Sequence, residues 1–161
     1  MKKAILSILF AICAPALWAG DLSDKVEVSA FVGGLHINNG GGNHGIYGGN
    51  IGFGINSKTT IYGEISHSPL NGGADLVDFN GGVKYTLLTR KKFEPYVLVG
   101  IGADRVAGNS DFGLHFGGGT RYFVGKNWGI QPELRWTRYF HDGPDANLVR
   151  YTGGIFYQWG K

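Results

Sequence analysis

From residue 25 onward, apolar and polar positions alternate with period two between breaks rich in Gly and Asn. Within 46–55, Tyr47, Gly49, Ile51, Phe53 and Ile55 share one face, and Gly48, Asn50, Gly52 and Gly54 share the other. Within 76–87, Val77, Phe79, Gly81, Val83 and Tyr85 oppose Asp78, Asn80, Gly82 and Lys84. Within 149–159, Val149, Tyr151, Gly153, Ile155, Tyr157 and Trp159 oppose Arg150, Thr152, Gly154, Phe156 and Gln158. No stripe of period 3.6 behind a helix cap competes with this pattern. The alternation predicts eight strands at 25–36, 46–56, 60–68, 76–88, 93–106, 112–123, 128–140 and 147–159. Short connections (56–59, 89–92, 124–127) are expected to alternate with longer, glycine-rich ones (37–45, 69–75, 107–111, 141–146).

The two faces differ in kind. One carries Ile61, Ile65, Phe93, Val97, Val99, Ile101, Phe112, Leu114, Phe116, Trp128, Ile130 and Leu134, with no charge at a central position. The other carries Glu64, Asp78, Lys84, Glu94, Asp104, Arg121, Glu133, Arg135 and Arg150. A strand of ~10 residues rising ~3.3 Å each and tilted by ~40° spans ~25 Å, the height of a bilayer's apolar band. A soluble lipocalin-like barrel would turn the apolar face inward, whereas a membrane barrel turns it to lipid. Glycines at 48, 52, 54, 82, 100, 102 and 117 on the charged face would leave a soluble barrel's outer wall bare, yet make room inside a narrow membrane barrel. Aromatics gather near both strand ends: Tyr85, Phe93, Tyr122, Trp128 and Trp159 at one, and Tyr47, Phe79, Phe112, Trp136 and Tyr151 at the other. Two such girdles suit the two bilayer interfaces. The expectation is an all-β, eight-stranded antiparallel up-and-down transmembrane β-barrel. Buried ions must be paired or hydrated, so Glu64, Asp78, Lys84, Arg121, Glu133, Arg135 and Arg150 are expected to form an interior charge network.

Composition narrows the class. Glycine is 29 of 161 residues, but without a triplet period, which excludes a collagen-like helix. A single cysteine excludes a disulfide scaffold and a thiolate zinc site. Lys2 and Lys3 followed by an apolar run over 4–17 have the grammar of a secretory signal peptide, 1–19, with the barrel domain over 20–161. Cleavage is expected after Ala19 or after Ala16. Loss of 1–19 removes two lysines and no acid, so the net charge falls from +3 to +1. The basic balance therefore gives no support for nucleic-acid binding.

The segments Phe93-Glu94-Pro95-Tyr96-Val97-Leu98-Val99-Gly100-Ile101-Gly102, Gly117-Gly118-Gly119-Thr120-Arg121-Tyr122 and Ile130-Gln131-Pro132-Glu133-Leu134-Arg135 resemble strands of the small outer-membrane barrel families of Gram-negative bacteria, the OmpA-like and OmpX-like barrels among them. The resemblance covers nearly the whole chain after residue 19. The last strand, through Tyr157-Gln158-Trp159, is similar to the insertion signal read by the barrel-assembly machinery. The resemblance implies an outer-membrane location, contact with membrane lipid and lipopolysaccharide, the barrel-assembly machinery as a transient partner, and a monomer.

Catalytic sets are not found. The lipid A deacylase family of similar size carries His-x-Ser-Asn on its penultimate strand, where this chain reads Arg135-Trp136-Thr137-Arg138. Ser66-His67-Ser68 is a Ser/His cluster on one strand, but neighbours along a strand point to opposite faces. His36, His44 and His141 have no metal-ligand spacing. No catalytic residue, metal or cofactor is expected. The expected role is structural or one of surface contact, carried by the longer connections through His44, Asp75, Asp111, His141 and Asp145. The alternatives are a lipid A-modifying enzyme, a narrow solute channel, and a soluble ligand-binding barrel.

Overall fold

The computed structural model describes residues 25–38, 42–70, 72–90, 92–106, 109–140 and 146–160. The expected signal peptide lies outside them, as do His141 and Asp145. Eight strands form: β1 (Val26–Ile37), β2 (Gly42–Gly54), β3 (Thr59–Pro69), β4 (Asp75–Thr86), β5 (Phe93–Val106), β6 (Asn109–Phe123), β7 (Trp128–Phe140) and β8 (Ala146–Trp159). Each pairs antiparallel with its sequence neighbour, and β1 pairs with β8 to close the barrel. Closure is in register along all of β1, from Val26 opposite Trp159 to Ile37 opposite Leu148. Among the described residues, no strand edge is left to seek another chain.

Both ends of the described chain meet at the end that carries connections 55–58, 87–92 and 124–127, here termed the inner end. An Asx turn shapes the first of these, where Asn56 Oδ1 accepts from the Lys58 and Thr59 amides at 2.9 and 2.8 Å. In the third, the Asn127 side-chain amide donates to the Gln158 carbonyl at 2.8 Å and pins the turn to β8. At the outer end, Gly72 and Gly73 take φ of 88° and 81° in the β3–β4 connection, a region that favours glycine.

The expected alternation of long and short connections is corrected. The outer connections are only 38–41, 70–74, 107–108 and 141–145, as short as the inner ones. β2 begins at Gly42 rather than 46, and β6 at Asn109 rather than 112. The reason is cross-strand pairing: Leu35 lies opposite His44 and His36 opposite Asn43, with the last two side chains hydrogen-bonded at 2.8 Å. Ladder bonds override the turn preference of Gly and Asn. Consequently His44, Asp75 and Asp111 stand on strands, not in loops. The outer wall runs past its aromatic positions, from Tyr47 back to Gly42, whereas Phe93, Trp128 and Trp159 mark strand ends at the inner side.

The apolar face points outward. Val32, Val99, Ile155 and Leu134 are 66%, 61%, 62% and 58% exposed, in a continuous band around the wall. A band of this extent is far larger than a soluble monomer tolerates, so its solvent is hydrocarbon and the soluble-barrel alternative is overturned. The charged face points into the lumen. Leu35, Ile46, Leu76, Leu98, Leu148, Phe31 and Phe156 are also buried there, which the alternation of charges alone did not indicate. Inward glycines make space: a Cβ on Gly100 would strike the His115 ring, and one on Gly119 the Tyr96 hydroxyl.

Replacing Val99 or Leu134 by Arg should lower stability in lipid by ~2–4 kcal/mol, because both sit midway along a lipid-facing strand. Trp128→Arg, at the interface, should cost ~0–1 kcal/mol on charge placement. Urea titration of folded barrel in vesicles measures the difference. Equal costs at all three positions would contradict the assigned membrane depth.

Candidate functional site in the barrel lumen

Odd and even positions of every strand face opposite sides, so each strand contributes polar groups to the lumen at intervals of two residues. These groups assemble into tiers. In the inner tier, Glu27 of β1 is gripped by Arg121 of β6, with Nε 2.5 Å from Oε2 and an Nη2 donating to Oε1 at 3.3 Å. The Lys84 ammonium of β4 lies 3.5 Å from the same carboxylate and donates to Asn50 Oδ1 at 3.4 Å. Glu27, Lys84 and Arg121 side chains are wholly shielded from solvent. Glu94 sits between Lys25 and Arg121, 4.0 Å from each.

The middle tier is denser. Glu64 of β3 receives both Arg135 of β7, at 2.9 and 3.0 Å, and Arg150 of β8, at 2.6 and 3.1 Å. Both guanidinium groups also donate to Glu133 Oε1, at 2.7 and 3.1 Å. The second Glu133 oxygen accepts from the Tyr96 hydroxyl at 2.8 Å, and that hydroxyl accepts from Gln131 at 2.7 Å. Two carboxylates thus balance two guanidiniums, with bidentate geometry on Glu64. Aromatic faces cover the cations: Lys84 lies 5.0 Å from the Tyr62 ring centre, Arg121 5.0 Å from Tyr96 and Arg150 4.8 Å from Phe31.

Above these, Asp78 accepts from the Tyr139 hydroxyl at 2.6 Å and from Ser66 at 3.4 Å. Leu35, Ile46, Leu76, Tyr139 and Leu148 then pack together across the outer mouth, with Ile37, Leu70 and Val106 against them. The lumen is therefore filled by paired ions and closed by apolar side chains.

Of the interior residues read from the sequence, Glu64, Glu133, Arg135 and Arg150 meet in one cluster, Lys84 and Arg121 meet in another, and Asp78 is held by hydroxyl groups instead of a cation. The set lacked Glu27, which joins Lys84 to Arg121. Its signal was present, since Glu27 stands between Val26 and Val28. His115 was also missed; it is buried between the outward Leu114 and Phe116, and shares a 2.6 Å hydrogen bond with the Tyr62 hydroxyl. Among the contact candidates, Asp75 is exposed at the outer rim, 3.5 Å from His67, while His44 and Asp111 are half-buried.

No reactive constellation emerges from these positions. Ser66 points inward to Asp78, and Ser68 donates to the Gly45 carbonyl at 2.7 Å. His67 points outward beside Tyr47 and Asp75. Among the described residues, no three His, Cys, Asp or Glu side chains group as metal ligands would.

Neisserial surface protein A shares this fold with a TM-score of 0.72 at 13% identity, over 82% of this chain and 96% of its own. The N-terminal beta-barrel domain of Pseudomonas aeruginosa OprF matches with a TM-score of 0.66 at 16% identity, over 86% of this chain and all of that one. The outer membrane enzyme PagL matches with a TM-score of 0.54 at 17% identity, over 82% of this chain and 97% of its own. No curated protein sequence matches. Residues 5–156 match the family model for the outer membrane protein beta-barrel domain. With a closed eight-strand wall, a lipid-facing apolar band and a lumen of paired ions, the chain belongs to that family and is an integral barrel of the outer membrane.

Proposed function

We propose that the protein acts as a structural and surface-contact barrel of the outer membrane, without a conducting pore and without enzymatic activity. The observation that carries this reading is the filled lumen. Paired ions occupy its inner and middle tiers, and the Leu35, Ile46, Leu76, Tyr139 and Leu148 cluster covers its outer mouth. A hydrated ion would have to displace charge-assisted hydrogen bonds and then cross an apolar layer.

The outer surface is left for contact. With short outer connections, that surface consists of strand ends rather than extended loops. His36 with Asn43, and Asp75 with His67, are polar pairs on this rim. Residues 1–19 act as a removable secretory signal in this account, and lipopolysaccharide surrounds the outer girdle.

The shared fold with the outer membrane enzyme PagL makes catalysis the reading to weigh against it, and hydrolysis is the chemistry that the Ser66-His67-Ser68 cluster would serve. The arrangement around His67 opposes hydrolysis. Its sequence-adjacent hydroxyls, Ser66 and Ser68, lie on the other side of the wall, so the His67–Asp75 pair has neither of them as a nucleophile.

Two measurements follow from these arguments. Purified barrel in planar bilayers should give no discrete conductance steps above leak; stable ohmic channels would overturn the plugged lumen. Lipid A incubated with the folded protein should keep its full acyl complement by mass spectrometry. Loss of one hydroxyacyl chain, abolished by His67→Ala, would establish an enzyme and refute the structural reading.

A further inference from the structure

The charges left outside the lumen are distributed unequally between the two ends. At the inner end, Lys58, Arg90, Lys92 and Lys126 stand on the three turns, all four exposed, and none forms an ion pair with an acid among the described residues. No acid occupies the turn segments 55–58, 87–92 or 124–127. Glu94, at the start of β5, is turned inward toward Lys25 and Arg121. Lys91 shares the second turn but lies outside the described residues, as do Asp21 and Asp24 ahead of β1. The outer end is different in kind: outside the lumen it carries an acid, Asp75, alongside Arg105 and Arg138, while Asp104 and Asp111 turn toward the lumen.

The inner cations stand immediately next to rings and apolar side chains that face the bilayer. Tyr85, Leu87, Leu88 and Phe93 flank the second turn, and Val124 and Trp128 flank the third, all exposed. Those groups set the depth of the lipid interface. Long basic side chains beside them place their stems against acyl chains and their charges among head groups. The cations are also spread over three successive turns around the rim rather than gathered on one side. A ring fits a surrounding leaflet, whereas a protein partner would read one contiguous patch.

We propose that Lys58, Arg90, Lys92 and Lys126 form a cationic collar that selects anionic phospholipid head groups from the periplasmic leaflet around the barrel. The attraction is Coulombic, falls off within a Debye length and is weakened by salt. The chemistry recognised is a phosphodiester with net negative charge, as in phosphatidylglycerol, over a zwitterionic head group such as phosphatidylcholine.

The test uses the full barrel folded in vesicles, with spin-labelled phosphatidylglycerol or phosphatidylcholine as probe. Electron paramagnetic resonance reports the ratio of their association constants at the protein surface. The intact barrel should favour phosphatidylglycerol several-fold at low salt, with the ratio falling toward one at high salt. The variant Lys58→Gln/Arg90→Gln/Lys92→Gln/Lys126→Gln should fold, as heat-modifiable gel mobility checks, and show a ratio close to one. Arg105→Gln, at the outer end, should keep the selectivity. A ratio of one for the intact barrel would overturn the proposal. So would full selectivity in the quadruple variant, or loss of selectivity in Arg105→Gln.

Discussion

Hydrocarbon offers no hydrogen-bond partner, and the rest of this molecule depends on that constraint. Each backbone amide and carbonyl in the membrane must be satisfied within the protein. A sheet meets the requirement only by closing, which β1 and β8 accomplish over their whole paired length. Closure then divides every strand into a side that meets lipid and a side that meets other side chains. Val99 and Leu134 belong to the first; Glu64 and Arg135 belong to the second. Charges that would be costly outside become neighbours inside, where each is compensated by an opposite charge or a hydroxyl.

The lumen's small bore follows from the strand number, and its contents follow from the bore. An eight-strand barrel has room for side chains and little else. Large groups such as His115 and Tyr96 are accommodated because facing positions are glycine, Gly100 and Gly119 respectively. The cations lie over aromatic rings as well as beside carboxylates, so desolvation is offset by two kinds of contact. The apolar cluster at the outer mouth finishes the plug. A closed lumen leaves the two ends as the places where this barrel meets its surroundings, and those ends differ: mixed charge on protruding strand ends outside, basic turns at lipid depth inside.

Much of the fold was legible in the sequence because a two-residue period is a direct image of a two-sided wall. Eight segments, their pairing order and the lipid-facing positions all follow from it. The ends of β2 and β6 were not legible. Gly42 to Gly45 and Asn109 to Asp111 have the composition of turns, and only pairing across the hairpin extends the strand through them. The charged lumen could be read from the inward parity of Glu64, Lys84, Arg121, Glu133, Arg135 and Arg150. The assignment of partners could not, because Glu64 and Arg150 are separated by 86 positions in the chain and meet only after closure. Glu27 had the right parity, between Val26 and Val28, and could have been read the same way; His115 also had it, but stands alone among apolar and glycine neighbours, where a single polar residue carries little signal. The inward Leu, Ile and Tyr residues of the outer plug read as breaks in the alternation until the mouth of the barrel gives them one another as neighbours.

Interior charges are held as compensated pairs. A double-mutant cycle on Glu27 and Arg121, which form a shielded pair between β1 and β6, measures it most directly. Folding free energies of Glu27→Gln, Arg121→Gln and the double variant would be taken from urea titrations in lipid vesicles. Each single change should cost about 3 kcal/mol, because it strands a buried charge, and the double change should cost clearly less than their sum. Strict additivity of the two single losses would contradict it.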